Sequence, residues 1–352
     1  MCVIPSKESL NKLADGLLKL GEDERTDEDT YKQLNHYRSL FHPLMTLVNT
    51  QCRARITRTL SKTKAQKSIV VQRIKRLESI VLKLQKYPKM ELSRMQDIGG
   101  VRVILPDMDA LNIFTENLFH RSKVMKVKEK NTKNYIVHPK DDGYRGVHYL
   151  LELENKRLDI APFKNLIVEL QVRTMLQHCW ATGVEIAGII NNKHYKTGDW
   201  DTDWGSFFLL LSQYFAATEN QSDLSIKEYP LLELKGLIDR LNVIERLRSV
   251  SIGFKALELQ LNRLPKEGFL LLITDFELHE IKISIEDNEE LALSRLKILE
   301  NRFSLKKFGK LTGQVLLVKA TDIKNLKKAY PNYYMDTQML IDELQKLIKL
   351  FK

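Results

Sequence analysis

Between Asp29 and Thr59, Leu34, Tyr37, Leu40, Phe41, Leu44 and Leu47 recur at threes and fours, the spacing of one buried helical face. Val70, Ile74, Leu77, Val81 and Leu84 continue that period, so a second amphipathic helix is expected there. Its other faces would hold Arg73, Lys75, Arg76 and Lys83, and Tyr87-Pro88 would end it. The period then changes. Val101, Val103 and Leu105 alternate as a strand does, Met108 to Phe119 returns to helix, and strand-like runs lie at 124–127, 135–137 and 147–153. Asn165 to Val172 sorts Ile167, Glu169 and Gln171 onto one side and Val168, Leu170 and Val172 onto the other. Thr174 opens a helix over Met175 to Ile190. This order predicts an α/β (α+β) fold, a mixed β-sheet flanked by helices.

Further along, Phe207 to Ala217 reads as a helix, and a long one is expected from about Leu231 to Leu261 on Leu234, Leu237, Leu241, Ile244 and Leu247. Asn262 to Gly268, with Pro265, looks like a boundary. Beyond it, strands are expected at 269–273, 277–285 and 314–319, with a helix at 289–303. Asp322 to Ala329 reads as a short helix and Tyr330 to Met335 as a link, with Asp336 capping a last helix through Lys352. The expected organisation is a helical segment at 1–60, an α/β domain at 61–230, a helical connector at 231–264 and a small α+β module at 265–352.

Composition narrows the class. The chain has 352 residues, 43% hydrophobic and 29% charged, which describes a globular protein rather than a disordered one. Its net charge of +11 favours polyanionic partners. No apolar run approaches the roughly 18 residues of a membrane span, and Met1 to Leu20 lacks the apolar core of a signal peptide, so a cytoplasmic protein without membrane association is expected. Cys2, Cys52 and Cys179 are far apart and form no CxxC pair, which argues against disulfides and against structural zinc.

Four segments offer chemistry. In Asp97-Ile98-Gly99-Gly100-Val101-Arg102, an acid and two glycines precede a strand, where a carboxylate suits Mg²⁺; a plain turn has the same composition. Glu169 and Gln171, with Arg173 following in register, make a polar stripe on an otherwise apolar strand, lining either a ligand or solvent. Gly143-Tyr144-Arg145-Gly146-Val147-His148 sets an aromatic ring and a guanidinium between glycines. That suits base stacking and phosphate pairing, and equally a hairpin turn with an exposed tyrosine. Arg121, Lys123, Lys126, Lys128, Lys130, Lys133 and Lys140 stand against the single acid Glu129, a strip that fits an RNA backbone or a solubilising surface.

Taken in order, Arg73-Ile74-Lys75, Lys83-Leu84, the Asp97 to Arg102 run, Gly143-Tyr144-Arg145 with His148, and Glu169-Leu170-Gln171-Val172-Arg173-Thr174 followed by Trp180-Ala181 resemble the synthetase domain of the RelA/SpoT superfamily over about Leu60 to Asn191. The resemblance implies an ATP:ribose-3′-hydroxyl pyrophosphotransferase. Arg73 and Arg102 would sandwich the adenine and Lys75 and Lys83 would hold the phosphates. Asp97 and Glu169 would be the catalytic carboxylates and the Mg²⁺ ligands, with Glu169 also taking the hydroxyl proton. Tyr144, Arg145, His148 and Gln171 would receive the acceptor.

Within the superfamily one branch uses GDP or GTP and makes alarmone. Another, the toxic small alarmone synthetases, modifies the 3′ end of tRNA and stops translation. The lysine strip (Lys126, Lys128, Lys130 and Lys140) points to tRNA as partner, with a (p)ppGpp synthetase as the alternative and a catalytically inactive RNA-binding sensor as a third reading. No hydrolase domain with a His/Asp metal pair is expected before residue 60. Ala329-Tyr330-Pro331-Asn332-Tyr333-Tyr334 is similar to the Tyr-x-x-Tyr segment of the CapRel family of fused toxin–antitoxins. That resemblance implies a C-terminal module with a metal-free, zinc-finger-like fold. Its Tyr330 and Tyr333 would cover the ATP site until a phage protein, the major capsid protein by analogy, binds the module. A turn with tyrosines in a small core is the plainer reading.

Overall fold

The computed structural model describes residues 5–19, 24–75, 77–120, 125–153, 166–191, 195, 200–220, 229–244, 246–247, 269–275, 280–303, 313–319 and 337–351. The chain divides into two compact units, Met1–Lys133 with Val147–Val172, and Asn134–Gly146 with Arg173–Lys352.

The first unit begins with helices α1 (Lys7–Leu18), α2 (Glu24–Ser39), α3 (His42–Thr59) and α4 (Lys62–Lys67). The single helix expected over 29–59 is broken at Phe41. Leu40 and Phe41 donate three residues back, to Tyr37 and Arg38 carbonyls, and Pro43 in the first turn of α3 has no N–H to continue the ladder. Leu44, Met45, Val48, Cys52 and Ile56 form the buried stripe of α3. Burial pushes the Cys52 thiol up to about 12, which leaves it an inert packing residue.

The largest departure from expectation follows. Residues 70–84 are not one helix: β1 (Ile69–Ile74) is a strand, and α5 (Leu77–Lys86) starts after it. Ile69, Val70, Val71 and Ile74 are β-branched, and β1 pairs antiparallel with β2 (Gly99–Leu105) from Ile69 opposite Ile104 to Ile74 opposite Gly99. Helical spacing of the apolar residues was met by accident because a strand and a helix abut in phase.

After β2 come α6 (Met108–Asn117), β3 (Met125–Asn134), β4 (Val147–Leu153) and β5 (Val168–Thr174). The five strands form one sheet in the order β1-β2-β5-β4-β3, with β4 and β5 antiparallel. The expected sheet flanked by helices is therefore present. Interior strand β2 is buried from Val101 through Leu105, which a strand covered on both faces requires. Residues 135–137 are a turn rather than a strand, because Asn134 Oδ1 accepts from the N–H groups of Ile136 and Val137.

The second unit contains α7 (Met175–Asn191), α8 (Thr202–Glu219) and α9 (Tyr229–Arg240). The long helix expected from Leu231 to Leu261 is interrupted after Arg240, and Val243, Ile244, Arg246 and Leu247 are helical again. Leu241 and Asn242 close the last turn, and Asn242 takes φ 51°, the left-handed conformation that ends helices; residues 248–261 lie outside the described ones. A three-stranded antiparallel sheet follows, with β6 (Phe269–Asp275) between β7 (Glu280–Glu286) and β8 (Gly313–Lys319). Helix α10 (Glu289–Phe303) packs Leu296, Leu299 and Phe303 against Leu271, Ile273 and Val315 of that sheet. The last helix, α11 (Thr337–Lys349), buries Leu340, Ile341, Leu344 and Leu347 in the core built by α7, α8 and α9, and packs on α7 rather than on that sheet. The expected helix at 322–329, Tyr330, Tyr333 and the cap Asp336 lie outside the described residues.

Gly99 is the tightest point at the start of β2. A Cβ there would lie 2.7 Å from both Cβ and Cδ1 of Phe41, whereas one on Gly100 would meet nothing closer than 3.4 Å. Gly99→Ala is therefore expected to cost about 1–3 kcal/mol of stability and Gly100→Ala clearly less, read from urea unfolding midpoints; equal midpoints would show that the Phe41 contact does not demand the glycine.

Candidate active site

Strand geometry gathers the polar residues of the first unit on one face of the sheet. Arg73 lies opposite Gly100 and Val71 opposite Arg102, so Arg73 and Arg102 are diagonal neighbours on the same face of β1 and β2. His148 lies opposite Gln171 and Leu150 opposite Glu169 in the β4–β5 pair. Along β5 the burial alternates as expected, with Val168, Leu170 and Val172 buried and Glu169 and Gln171 half-buried.

Side chains then join these positions. Arg102 Nε donates to Gln171 Oε1 at 3.3 Å, and Gln171 Nε2 donates to Glu169 Oε2 at 2.9 Å. His148 Nδ1 is 2.8 Å from Glu169 Oε1. Burial alone would raise the Glu169 pKa, and the nearby Asp97 charge also raises it; the His148 contact and the Gln171 hydrogen bond together hold the carboxyl below its usual range. A residue of each expected role, adenine, catalytic and acceptor, thus belongs to one continuous chain of hydrogen bonds.

Asp97 precedes β2 in a turn that is anchored where Lys75 N–H donates to the Ile98 carbonyl at 2.7 Å. Its carboxylate accepts from Lys75 Nζ at 2.6 Å and from Lys83 Nζ at 3.0 Å, the second reaching in from α5. Burial opposes ionisation of Asp97, but the two ammonium groups override it and its pKa is lowered. Lys75 is lowered as well: burial is the main cause, and Lys83 and Arg73 add like-charge repulsion. The single basic helix expected to carry Arg73, Lys75 and Lys83 is not formed: Arg73 is on strand β1 and Lys83 on helix α5.

The two carboxylates fit a divalent metal. Both are held ionised, and each is a hard oxygen donor. Asp97 raises the pKa of Glu169, so the pair repels, and a cation would relieve that repulsion. Among the described residues no group of three or more His, Cys, Asp and Glu side chains gathers to hold a metal. Mg²⁺ bound by Asp97 and Glu169 would take its other ligands from water and a polyphosphate.

The second unit carries Tyr144 and Arg145. Tyr144 packs edge-on to Tyr135 at 5.6 Å and to Trp180 at 6.2 Å. The Arg173 guanidinium lies 4.8 Å from its ring centre and Lys140 Nζ 5.0 Å, and Arg173 Nε donates to its hydroxyl at 3.0 Å. Arg145, expected on the acceptor, is buried and ion-paired with Glu219, Nη1 to Oε2 at 2.6 Å. Glu219 had no signal in the sequence: it lies far along the chain, at the end of a helix with no motif around it. Lys126, Lys128 and Lys130 occupy alternate positions of edge strand β3. Their side chains, like Tyr330 and Tyr333, lie outside the described residues. No helix among the described residues is long and apolar enough to cross a membrane.

Residues 72–198 match the sequence model of the region found in RelA / SpoT proteins. All the expected catalytic, ATP and acceptor positions fall within that stretch. The chain is 32% identical over 115 residues to the GTP pyrophosphokinase YjbM of Bacillus subtilis, covering 32% of this chain and 52% of that protein. It is 29% identical over 119 residues to the GTP pyrophosphokinase YwaC of the same organism, covering 31% and 52%. It thus spans about half the length of the curated relatives it matches. Among solved structures, the small alarmone synthetase 1 of Bacillus subtilis bound to its product pppGpp aligns with 27% identity and a TM-score of 0.36 over 43% of this chain and 74% of that one.

Because Asp97 has a lowered pKa in the folded protein, it contributes stability above its unfolded pKa, and that contribution fades as pH falls through the folded value. Asp97→Asn is expected to melt below the native protein at neutral pH, with the two melting temperatures converging as the pH falls below the ordinary aspartate range. A gap that is constant across that range would mean that the Lys75–Asp97–Lys83 ion cluster carries no linked protonation.

Proposed function

We propose that the RelA/SpoT-type region at 72–198 transfers pyrophosphate from ATP to a ribose 3′-hydroxyl. The observation that carries this reading is the continuous polar face running from Arg73 and Arg102 through Gln171 to Glu169 and His148, with Asp97 held ionised beside it.

In this reading Arg73 and Arg102 take the adenine between two planar guanidinium groups. Lys75 and Lys83, which neutralise Asp97 at rest, turn to the triphosphate when it arrives, and their release of Asp97 leaves its carboxylate for Mg²⁺. Bound by Asp97 and Glu169, the metal would neutralise charge on the phosphates and acidify the attacking hydroxyl. The acceptor oxygen attacks the β-phosphorus, the bond from that phosphorus to the α-phosphate oxygen breaks, and AMP leaves. Glu169 receives the hydroxyl proton, and His148 at its other oxygen orients the carboxylate and shares the charge. Tyr144 receives the acceptor base by stacking, in place of one of the cations now against its ring.

The acceptor we favour is the 3′ end of tRNA, with Lys126, Lys128, Lys130 and Lys140 following the RNA backbone, so that transfer would stop translation. GDP or GTP is the second reading, favoured by the names of the relatives, both GTP pyrophosphokinases. The module after residue 265 is proposed to keep the enzyme silent through Tyr330 and Tyr333 until a phage protein binds it, as in a fused toxin–antitoxin.

Incubation with γ-labelled ATP, bulk tRNA and GDP separates these readings. Label on RNA supports the tRNA enzyme, and label on guanosine nucleotide supports an alarmone synthetase. No label from either the native chain or Tyr330→Ala/Tyr333→Ala leaves a binding protein. In a labelling-competent chain, Asp97→Asn and Glu169→Gln should each lower transfer by about a thousandfold or more, and near-native transfer by either would remove it from the site. Expression of Tyr330→Ala/Tyr333→Ala should arrest growth where the native chain does not; normal growth on confirmed expression overturns the covering role of these tyrosines.

A further inference from the structure

Glu219 is the last residue of α8, where a negative charge meets the negative end of the helix dipole and is disfavoured. Its carboxylate is nevertheless only 4% exposed. A buried acid in that position needs strong compensation, and three side chains supply it. Arg145 Nη1 donates to Oε2 at 2.6 Å, Gln177 Nε2 donates to the same oxygen at 3.2 Å, and the Thr174 hydroxyl donates to Oε1.

These partners are themselves tied together. Thr174 and Gln177 form a reciprocal cap at the start of α7: Gln177 N–H donates to Thr174 Oγ1, and Thr174 N–H donates to Gln177 Oε1, each at 3.2 Å. The Glu219 charge therefore sits at the positive end of α7, which suits it, and Arg145 joins that cap to the loop carrying Tyr144.

A second attachment comes from the same face of α8. Ser212, seven residues before Glu219, donates its hydroxyl to the Gly143 carbonyl at 2.5 Å. Gly143 has φ 90°, and a Cβ on it would lie 3.0 Å from Ser212 Cβ, so the loop lies directly against the helix. Asp142 Oδ1 accepts from Tyr144 N–H at 2.9 Å, and Gly146 accepts from Tyr135 N–H at 2.8 Å. The cavity left between loop and helices, lined by Gly143, Arg145, Gln177, Trp180, Ser212 and Phe215, is only about 10 Å³. Nothing larger than a water fits there, which leaves Arg145 to its carboxylate partner.

We infer that Glu219 is a positioning residue for acceptor recognition: through Arg145, and together with Ser212, it fixes the 143–146 loop so that Tyr144 presents its ring to the acceptor base. This rests on the proposed reading of Tyr144 as the stacking platform. Side chains of α8 hold the loop at Gly143 and at Arg145.

The test uses full-length chains, native and in the Tyr330→Ala/Tyr333→Ala background, carrying Tyr144→Ala, Glu219→Gln or Ser212→Ala. Equilibrium binding of labelled tRNA, of GDP and of an α,β-methylene ATP analogue is measured beside thermal melting. Glu219→Gln is expected to weaken the acceptor that the unsubstituted chain binds by about tenfold and to leave the ATP analogue within about twofold; Ser212→Ala should weaken the acceptor about threefold. A folded Glu219→Gln chain with native acceptor affinity, or one losing acceptor and ATP analogue equally, overturns the inference. If Glu219→Gln does not fold, Ser212→Ala decides, and native acceptor affinity there overturns it. Native affinity in Tyr144→Ala, or binding of neither acceptor by any unsubstituted chain, removes the platform reading itself and the inference with it.

Discussion

A half-buried charge must meet its counter-charge inside the protein, and that requirement organises the first unit. Asp97, Lys75 and Lys83 are each largely withdrawn from water, and only their mutual contacts make this tolerable. The turn before β2, the end of β1 and the helix α5 are thereby tied at one point, because each supplies one member of the cluster. Glu169 meets the same requirement differently, through His148 and Gln171 on neighbouring positions of a sheet face. Backbone register thus does for Glu169 what chain folding does for Asp97.

The same logic explains why the polar residues are placed where they are along the strands. β2 is covered on both faces, so Arg102 within it has no route to solvent except along the sheet face it shares with Gln171. Arg102 is only 6% exposed, and its Nε donates to the amide oxygen of Gln171.

Legibility in the sequence followed the range of the interactions. β5 could be read from alternation alone, because Val168, Leu170 and Val172 face the core and Glu169 and Gln171 do not. The helix over 289–303 was likewise plain from its own period. β1 was not, because six strand residues followed by a helix in phase imitate one amphipathic helix, and only pairing with β2 decides between them. The break at Phe41 and the end of α9 at Asn242 each depend on a single residue's backbone, below the resolution of a hydrophobic period. Within the site, residue types at motif positions were recoverable, but their partners were not. That Lys75 and Lys83 converge on Asp97 and that Arg145 meets Glu219 are facts of tertiary distance, and Glu219 has no local pattern to mark it.

Paired charges also determine what ligand binding must cost in the proposed reaction. In the proposed reaction Lys75 and Lys83 would turn from Asp97 to the triphosphate, so binding would exchange one set of ion pairs for another rather than only adding contacts. The exchange balances only if a cation replaces the lysines on the carboxylate, since otherwise a half-buried acid is left bare beside Glu169, whose pKa it already raises. In that proposal nucleotide and metal would be coupled through Asp97. Lys75 is suited to that exchange because burial and its like-charged neighbours already disfavour its ammonium form, and a polyphosphate carries more charge to offset this than one carboxylate does.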